Sequence, residues 1–385
     1  MYAIQLNTAD GEAGGFERKL TELAARPPAW ILMYGTDDSP FERIMASLRQ
    51  RFPGIAVFGA TSFKGVFTSK GFSRDVALLV GEAKDDIATS VVLRATGAAQ
   101  AKKTSHMACQ EIESKLGCRP NTLLMHATPG FEERILEGVR SAYGNEVPVY
   151  GGSAADDSLA GRWKVFANGT VCSEGFLLVG LSGAQAPMGS FLGGFLPTEH
   201  SGTITKVDKR RVVEIDGQPA ASVYNAWTGG VIEHELATGG NVLLKTDLFP
   251  LARSLDDSRG MPRRLLSHPH QVIADSKALS FFAEFSPGDK VTLMTSTREP
   301  LISRVRRGVQ RARGSNKTRP RGGLLVYCGG SLGGMLDQAD TISSEFAAEL
   351  GGAPFVGIAT FGEQGAFFTK AESWHGNLMC SALIF

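Results

Sequence analysis

Residues 121–152, NTLLMHATPGFEERILEGVRSAYGNEVPVYGG, decide the fold. Two apolar runs, TLLMHA and VPVYG, flank a segment from Glu132 to Tyr143 whose apolar residues recur at helical spacing. A helix of this length between two buried runs forces the two strands to pair in parallel. The stretch therefore predicts a strand, crossover helix, strand unit.

The same order recurs elsewhere in the chain. Residues 29–82 carry AWILMYG, a helical segment and IAVFG, and Leu32 and Gly59 lie 92 positions before Leu124 and Gly151. A weaker third copy at 323–385 carries GLLVYCGG and APFVGIATFGE, and the amphipathic helix LISRVRRGVQRAR precedes it. Each copy ends in further apolar strands, which must run antiparallel, so we expect mixed sheets.

The length of 385 residues exceeds the roughly 150 residues of one average domain. Near residue 190 a Gly- and Pro-rich segment ends the second copy, and new material follows: a two-stranded ribbon, TITKV and VVEI, and a helix, PAASVYNAW. We therefore expect two domains, 1–190 and 191–385. The predicted fold class is α/β, with mixed sheets built from repeated strand-helix-strand units in an α/β/β/α layering.

Composition and charge exclude several classes of protein. Forty basic and 39 acidic residues give a net charge of +1, which provides no general attraction for nucleic acid or anionic lipid. The five cysteines include no C-x-x-C pair, so reduced thiols are expected. The first residues lack the basic and apolar regions of a signal peptide, which predicts a cytoplasmic protein.

Residues 175–198 are the one stretch long enough to suggest a membrane span, because they carry no charge over 24 positions. They contain six glycines and two prolines, which divide the stretch into two runs of strand length. We expect a buried hairpin and no membrane span.

Glycine is over-represented, with 46 residues, and much of it follows the apolar runs. Ligands bind at the carboxyl ends of parallel strands, and exposed amides in such turns favour anions. We therefore predict a ligand pocket at the strand ends. The predicted ligand-binding residues are Thr36, Asp37, Gly151, Gly152, Ser153, Asp156, Asp157, Cys328, Gly362 and Glu363.

Each of these residues also has a structural interpretation. Glycines permit tight turns, Asp156 and Asp157 suit a turn, and Glu363 suits a solvated loop. Cys328 is either a small buried hydrophobe or an activated nucleophile. The basic stretch 298–321 holds nine Arg or Lys residues and one acidic residue; it is interpreted as a solvated helix face and loop, with a docking patch for an acidic partner as the alternative.

Several motifs, in order, resemble the FIST family. VYGGSAADD at 149–157, VFANG at 165–169 and EGFLLVGL at 174–181 are similar to the end of the FIST N-terminal domain. DGQPA at 216–220, LVYCG at 325–329, and PFVG at 354–357 before Gly362 and Glu363 are similar to the FIST C-terminal domain.

This resemblance implies a sensory protein that binds a small ligand, amino-acid-like or a small carboxylate, and acts in signal transduction. No kinase, cyclase or helix-turn-helix signature accompanies the two halves, so the output would require a separate signalling partner, such as a histidine kinase or a cyclic-di-GMP enzyme.

Two alternatives stay open. One branch of FIST proteins binds haem and senses nitric oxide, and His375 is the preferred iron ligand here, ahead of His126. The other alternative is a thiol-dependent enzyme that uses Cys328 as its nucleophile.

Overall fold

The computed structural model describes residues 1–6, 13–184, 187–255, 263–368 and 372–385, and within the first helix it describes side chains from Arg18 onward. The described residues form one pattern three times: strand, helix, strand, helix, strand, a short hairpin and a final strand. We call the three copies unit 1, unit 2 and unit 3.

Unit 1 comprises β1 (Tyr2–Leu6), α1 (Ala13–Ala25), β2 (Pro28–Gly35), α2 (Phe41–Arg51), β3 (Ala56–Thr61), β4 (Val66–Thr68), β5 (Gly71–Ser73) and β6 (Val76–Glu82). Unit 2 comprises β7 (Ile87–Ala95), α3 (Ala98–Leu116), β8 (Thr122–Ala127), α4 (Glu132–Tyr143), β9 (Val149–Gly152), β10 (Val165–Ala167), β11 (Thr170–Cys172) and β12 (Gly175–Gly183).

Unit 3 begins with β13 (Met188–Leu192) and is then interrupted by an inserted domain. The inserted domain comprises β14 (Leu196–Asp208), β15 (Arg211–Ile215), β16 (Gln218–Pro219), α5 (Ala220–Trp227), α6 (Glu233–Thr238), β17 (Gly240–Asn241), β18 (Leu251–Leu255), β19 (Arg263–Ser267), β20 (Pro269–Ile273), β21 (Ala278–Phe281) and β22 (Lys290–Thr295). Unit 3 resumes with α7 (Arg298–Arg313), β23 (Gly323–Cys328), α8 (Gly329–Gly333), α9 (Ala339–Glu349), β24 (Phe355–Thr360), β25 (Glu363–Ala366), β26 (Ser373–Gly376) and β27 (Cys380–Ile384).

Each unit builds one mixed sheet whose strands follow the same order. The orders are β1-β6-β2-β3 in unit 1, β7-β12-β8-β9 in unit 2 and β13-β27-β23-β24 in unit 3. The two strands that flank the second helix of each unit pair in parallel, as the sequence predicts. The prediction of three repeated units with mixed sheets is therefore confirmed.

The short hairpin of each unit joins the sheet of another unit. The hairpin β10-β11 of unit 2 extends the sheet of unit 1 beyond β3, and β25-β26 of unit 3 extends the sheet of unit 2 beyond β9. The hairpin β4-β5 of unit 1 extends the sheet of unit 3 beyond β24. The three units are therefore joined in a closed cycle.

The three sheets share one central apolar core. It contains Trp30 and Leu32 of unit 1, Leu124 of unit 2, and Val326 and Ile358 of unit 3, all buried. On its outer face each sheet is covered by the two longest helices of its own unit, with a separate core beneath them. Between any two units the order of layers is thus helix, sheet, sheet, helix, which agrees with the predicted α/β fold class.

Gly59 and Gly151 occupy equivalent positions in the repeat, and both are required by close packing of two strands. A Cβ atom at Gly59 would lie 1.7 Å from the carbonyl oxygen of Met33, and one at Gly151 would lie 1.8 Å from that of Met125. The second strand of each pair therefore packs against the first at a distance that only glycine allows, so this part of the repeat reflects packing.

The inserted domain is a nine-stranded antiparallel sheet covered by α5 and α6. The predicted ribbon and helix are confirmed as β14, β15 and α5. The predicted hairpin at 175–198 is wrong: β12 pairs with β7 and β8, whereas β13 pairs with β27 of another sheet, because each strand belongs to a different unit.

The predicted border near residue 190 lies within β13, and two of the three unit sheets contain strands from both sides of it. The division into 1–190 and 191–385 remains a prediction. Among the helices that the structure describes, none combines the length and apolarity that a membrane span requires.

Candidate functional site

A cavity of about 300 Å³ lies where strand ends of the units meet the inserted domain. The loops after β3, β9, β23 and β24 form one side of this cavity, in accordance with the strand-end rule. We call it the strand-end pocket. The residues from the units are Phe63, Asp157, Ser158, Leu159, Cys328, Gly329, Gly330, Gly333, Phe361, Gly362 and Asn377, and those from the inserted domain are Asn241, Leu243, Leu244, His268 and Phe282.

Most of the lining is apolar. Phe63 and Phe361 lie 5.7 Å apart between ring centres, and Phe282 faces the cavity from the inserted domain. Leu159 and Leu244 are unusually exposed for leucine, at 41 % and 71 %. A concave cavity with a mainly apolar and aromatic lining and a few polar groups is the usual form of a small-molecule binding site.

His268 presents a hydrogen-bond acceptor to the pocket. Its Nε2 lies 3.0 Å from the carbonyl oxygen of Leu243, and burial lowers the pKa of the imidazole to about 3, so the ring is neutral. A carbonyl only accepts, so Nε2 carries the hydrogen and Nδ1 carries a lone pair. Nδ1 points towards Gly330, where a Cβ atom would lie 3.0 Å from it.

Asn377 presents a hydrogen-bond donor to the pocket. Its Oδ1 accepts the backbone N–H of His268 at 3.4 Å, and within the described part of the chain its Nδ2 has no hydrogen-bond partner. Both side chains are almost fully buried. Neither His268 Nδ1 nor Asn377 Nδ2 has a hydrogen-bond partner among the described residues, so this acceptor and this donor are groups to which a ligand could bind.

Cys328 lies in the wall of the pocket as a neutral thiol. Burial raises the pKa of the Cys328 thiol to about 12, and its Sγ accepts the N–H of Leu378 at 3.3 Å. A nucleophilic cysteine requires a thiolate at neutral pH. A buried thiol with a raised pKa does not favour the thiol-enzyme alternative.

Glu363 lies behind Cys328 and outside the pocket lining. Its carboxyl group accepts hydrogen bonds from Thr360 Oγ1 at 2.8 Å and from the N–H of Met379 at 2.9 Å. Burial raises the pKa of Glu363 to about 8, so it is mostly protonated at pH 7. The structure thus places Glu363 where it supports the wall.

Asp156 and Asp157, both predicted to bind the ligand, have different surroundings in the structure. The carboxylate of Asp156 accepts backbone N–H groups of its own loop, at 2.9 Å from Ser158, 3.2 Å from Ala160 and 2.7 Å from Arg162. This favours a structural role for Asp156. Asp157 lines the pocket, and its carboxylate is held by Arg74 at 2.5 Å.

The other predicted site residues lie away from the pocket. Asp37 pairs with Arg162 at 2.7 Å, and Thr36 donates to Asp38 beside it. Gly151 and Gly152 pair with β25 inside a sheet. The structure therefore brings together Asp157, Cys328 and Gly362.

Ser153 belongs to a second buried cluster. It donates to Glu132 Oε1 at 2.7 Å, and Arg210 of the inserted domain donates to Glu132 at 2.7 Å and to Glu133 at 2.5 Å. Carboxylate oxygens of Glu132 and Glu133 and a ring nitrogen of His375 lie within 4.8 Å of one another, which could suit a metal ion. The Arg210 guanidinium already supplies positive charge there, so we interpret the cluster as an ion pair between the inserted domain and unit 2.

His375 does not fit a haem ligand. Its Nδ1 lies 3.0 Å from Gln364 Nε2, and its Nε2 lies 3.3 Å from the carbonyl oxygen of Phe282. The cleft beside it, about 290 Å³, is lined by charged residues, including Glu133 and Arg253. A haem ligand needs a free imidazole nitrogen that faces an apolar cavity.

His126 does not fit either. Its Nδ1 lies 2.8 Å from the carbonyl oxygen of Gly152, and its Nε2 lies 2.7 Å from the hydroxyl of Tyr34. Burial lowers the pKa of His126 to about 4, so it is a neutral histidine of the core.

Sequence reasoning missed His268 and Asn377. His268 lies in the inserted domain, which is not part of the repeat, and Asn377 follows the last hairpin. Neither stands in a motif. The only available signal for Asn377 was its place directly before the last apolar strand.

Comparison with models of protein families identifies the family of this chain. The FIST N domain matches residues 29–218 and the FIST C domain matches residues 220–366, which together cover most of the chain. The protein belongs to the FIST family. FIST domains are sensory domains of signal transduction that bind small ligands. No curated protein has a sequence that matches this chain.

Proposed function

We propose that this protein is a sensor that binds an amino-acid-like ligand with an apolar side chain in the strand-end pocket and thereby regulates a signalling partner. The observation that carries the proposal is a pair of groups, His268 Nδ1 and Asn377 Nδ2, that have no hydrogen-bond partner among the described residues and lie in a pocket with aromatic walls. An α-amino acid offers an ammonium group to the acceptor and a carboxylate to the donor.

The charges around the pocket favour an amino acid over a simple carboxylate. Asp157 is the one charged residue in the lining that the structure describes, and neither Lys nor Arg contributes to that lining. A small dicarboxylate would bring two negative charges to a lining without a cation, whereas an amino acid has no net charge, and its ammonium group is compatible with Asp157, whose carboxylate Arg74 already holds.

A short segment connects the pocket to the protein surface. Asn377 lines the pocket, and Leu378 follows it. The N–H of Leu378 donates to Cys328 Sγ, and the carbonyl oxygen of Leu378 accepts from Arg304 Nη1 at 2.7 Å. Arg304 is fully buried on α7 and also donates to the carbonyl of Gly193 at 3.1 Å. A ligand that moves Asn377 would therefore displace α7, whose opposite face is exposed to a partner. That partner would be a separate signalling protein, such as a histidine kinase or a cyclic-di-GMP enzyme.

Thermal unfolding with candidate ligands tests the proposal. Leucine or phenylalanine at about 100 times its dissociation constant should stabilise the protein by about 2.7 kcal/mol and raise Tm by a few degrees. Glutamate and succinate should give a much smaller shift. The absence of a shift with every apolar amino acid would contradict the proposal.

Two variants should remove the shift without unfolding the protein. Leu244→Trp fills the entrance of the pocket, and Asn377→Asp replaces the donor by an acceptor of the same shape. We expect affinity to fall at least tenfold in each. The matched control is Leu196→Trp, because Leu196 is exposed to the same extent, 71 %, but lies outside the pocket. Equal losses in Leu244→Trp and Leu196→Trp would place the ligand elsewhere.

A further inference from the structure

Helix α7 buries one face and exposes a strongly basic one. Leu301, Val305 and Val309 are buried in the outer core of unit 3, together with Arg304. The opposite face and the loop that follows carry Arg307, Arg311, Arg313, Lys317 and Arg319, which we call the basic face.

Among the described residues, the ion pairs near the basic face involve arginines at its edge. Arg298 lies 3.5 Å from Asp337, and Arg306 lies 3.3 Å from Glu345. In the described ranges of the chain, no residue of the basic face pairs with a carboxylate.

The contacts that these side chains do make leave their positive charge uncompensated. Arg307 donates to the carbonyl of Pro300, Arg313 to that of Thr318, and the Arg311 guanidinium lies 5.1 Å from the ring centre of Phe368. Five basic residues thus form a local excess of charge in a protein whose net charge is only +1. Such a surface favours an anionic partner.

The chemistry of the surface distinguishes among anionic partners. Residues 298–321 contain no aromatic residue, which single-stranded nucleic acid would use for stacking. They also contribute none of the large apolar side chains that are exposed in the described residues, which a membrane-surface helix would need. Arginine forks match the two oxygens of a carboxylate, and four of the five residues are arginines.

We propose that the basic face binds an acidic segment of the signalling partner, rich in glutamate or aspartate. The inference rests on the proposed sensory function for its biological meaning, because Arg304 links α7 to the wall of the strand-end pocket. The binding itself requires no pocket ligand, so it is tested separately.

The test uses a fluorescein-labelled peptide of about 15 residues, alternating glutamate and serine, and measures fluorescence anisotropy at about 0.15 M salt with the full chain. The variant Arg307→Glu/Arg311→Glu should bind the peptide at least tenfold more weakly than the wild type. The control Arg43→Glu/Arg51→Glu reverses two exposed arginines on α2 and changes the net charge equally. It should alter the affinity less than twofold.

Three results would overturn the proposal: no binding of the peptide by the wild type, equal losses in both double variants, or tighter binding of phosphatidylserine vesicles or single-stranded DNA than of the peptide. The amino-acid thermal shift is measured on the same variants. Loss of peptide binding with the shift retained supports the docking surface, whereas absence of the shift contradicts only the proposed ligand.

Discussion

Glu132→Gln is expected to destabilise the folded protein by about 3 kcal/mol at pH 7. Glu132 is fully buried and shares the guanidinium of Arg210 with Glu133, so the substitution leaves a buried cation with only part of its compensation. Burial by itself would raise the pKa of Glu132, but the charge of Arg210 and the hydrogen bonds from Arg210 and Ser153 hold that pKa well below its ordinary value of 4.5.

The sign of the pH dependence follows from this lowered pKa. The ion pair stabilises the folded state fully above pH 4.5, and its contribution is lost as the pH falls towards the lower pKa of the folded state. Chemical denaturation at several pH values should show the wild type and the variant converging on acidification. Glu137→Gln on the same helix, whose partner Arg134 is solvent-exposed, is the control and should cost less than about 1 kcal/mol. A loss in Glu132→Gln no larger than this would contradict the prediction.

Glu363→Gln is expected to have the opposite pH dependence. Burial raises the folded-state pKa of Glu363 from 4.5 to about 8, so the folded protein must hold a proton that the unfolded chain releases. The contribution of Glu363 is fully present below pH 4.5 and is lost as the pH rises through 8. Glutamine keeps the shape of the carboxyl group: its carbonyl oxygen can accept the N–H of Met379, and its amide can donate to the Thr360 hydroxyl, which can rotate from donor to acceptor.

The variant should therefore match the wild type at pH 5 and exceed its stability at pH 9, by a difference on the order of a few kcal/mol. Denaturation curves at pH 5, 7 and 9 measure this difference. Cys328 and Arg304 also face this carboxyl group, so the same curves should be recorded for Cys328→Ser to identify any contribution from the thiol. A difference that stays constant from pH 5 to pH 9 would show that Glu363 does not hold a proton.

The repeat was the part of the fold that sequence could reveal. Leu32 and Leu124, or Gly59 and Gly151, are equivalent because each copy must bury the same strand pair, and burial constrains residue type. The exchange of hairpins between units could not be predicted from residue types. The partners β4 and β24 are nearly 300 residues apart, and their pairing is set by backbone hydrogen bonds that any residue provides.

The location of the site could be predicted from the sequence, but only some of its residues could. The glycine clusters led to the strand ends, and Asp157, Cys328 and Gly362 do line the pocket. The carboxyl groups of Asp156 and Glu363 are of a type that could bind a ligand. In the structure they instead accept hydrogen bonds from neighbouring residues of the protein. His268 could not be found because it lies in material inserted between β13 and α7, and only the folded chain brings it to the pocket.

The exchanged hairpins determine how the chain can be divided. Each hairpin covers a strand edge that would otherwise be open to pairing with another molecule. A fragment that ends near residue 190 would leave β4-β5 without its partner β24 and would expose the edge of β9, because β25 would be missing. Expression of one half alone thus creates two unprotected edges. All three hairpin exchanges form only when units 1, 2 and 3 are present together, so folding depends on contacts that are distant in sequence.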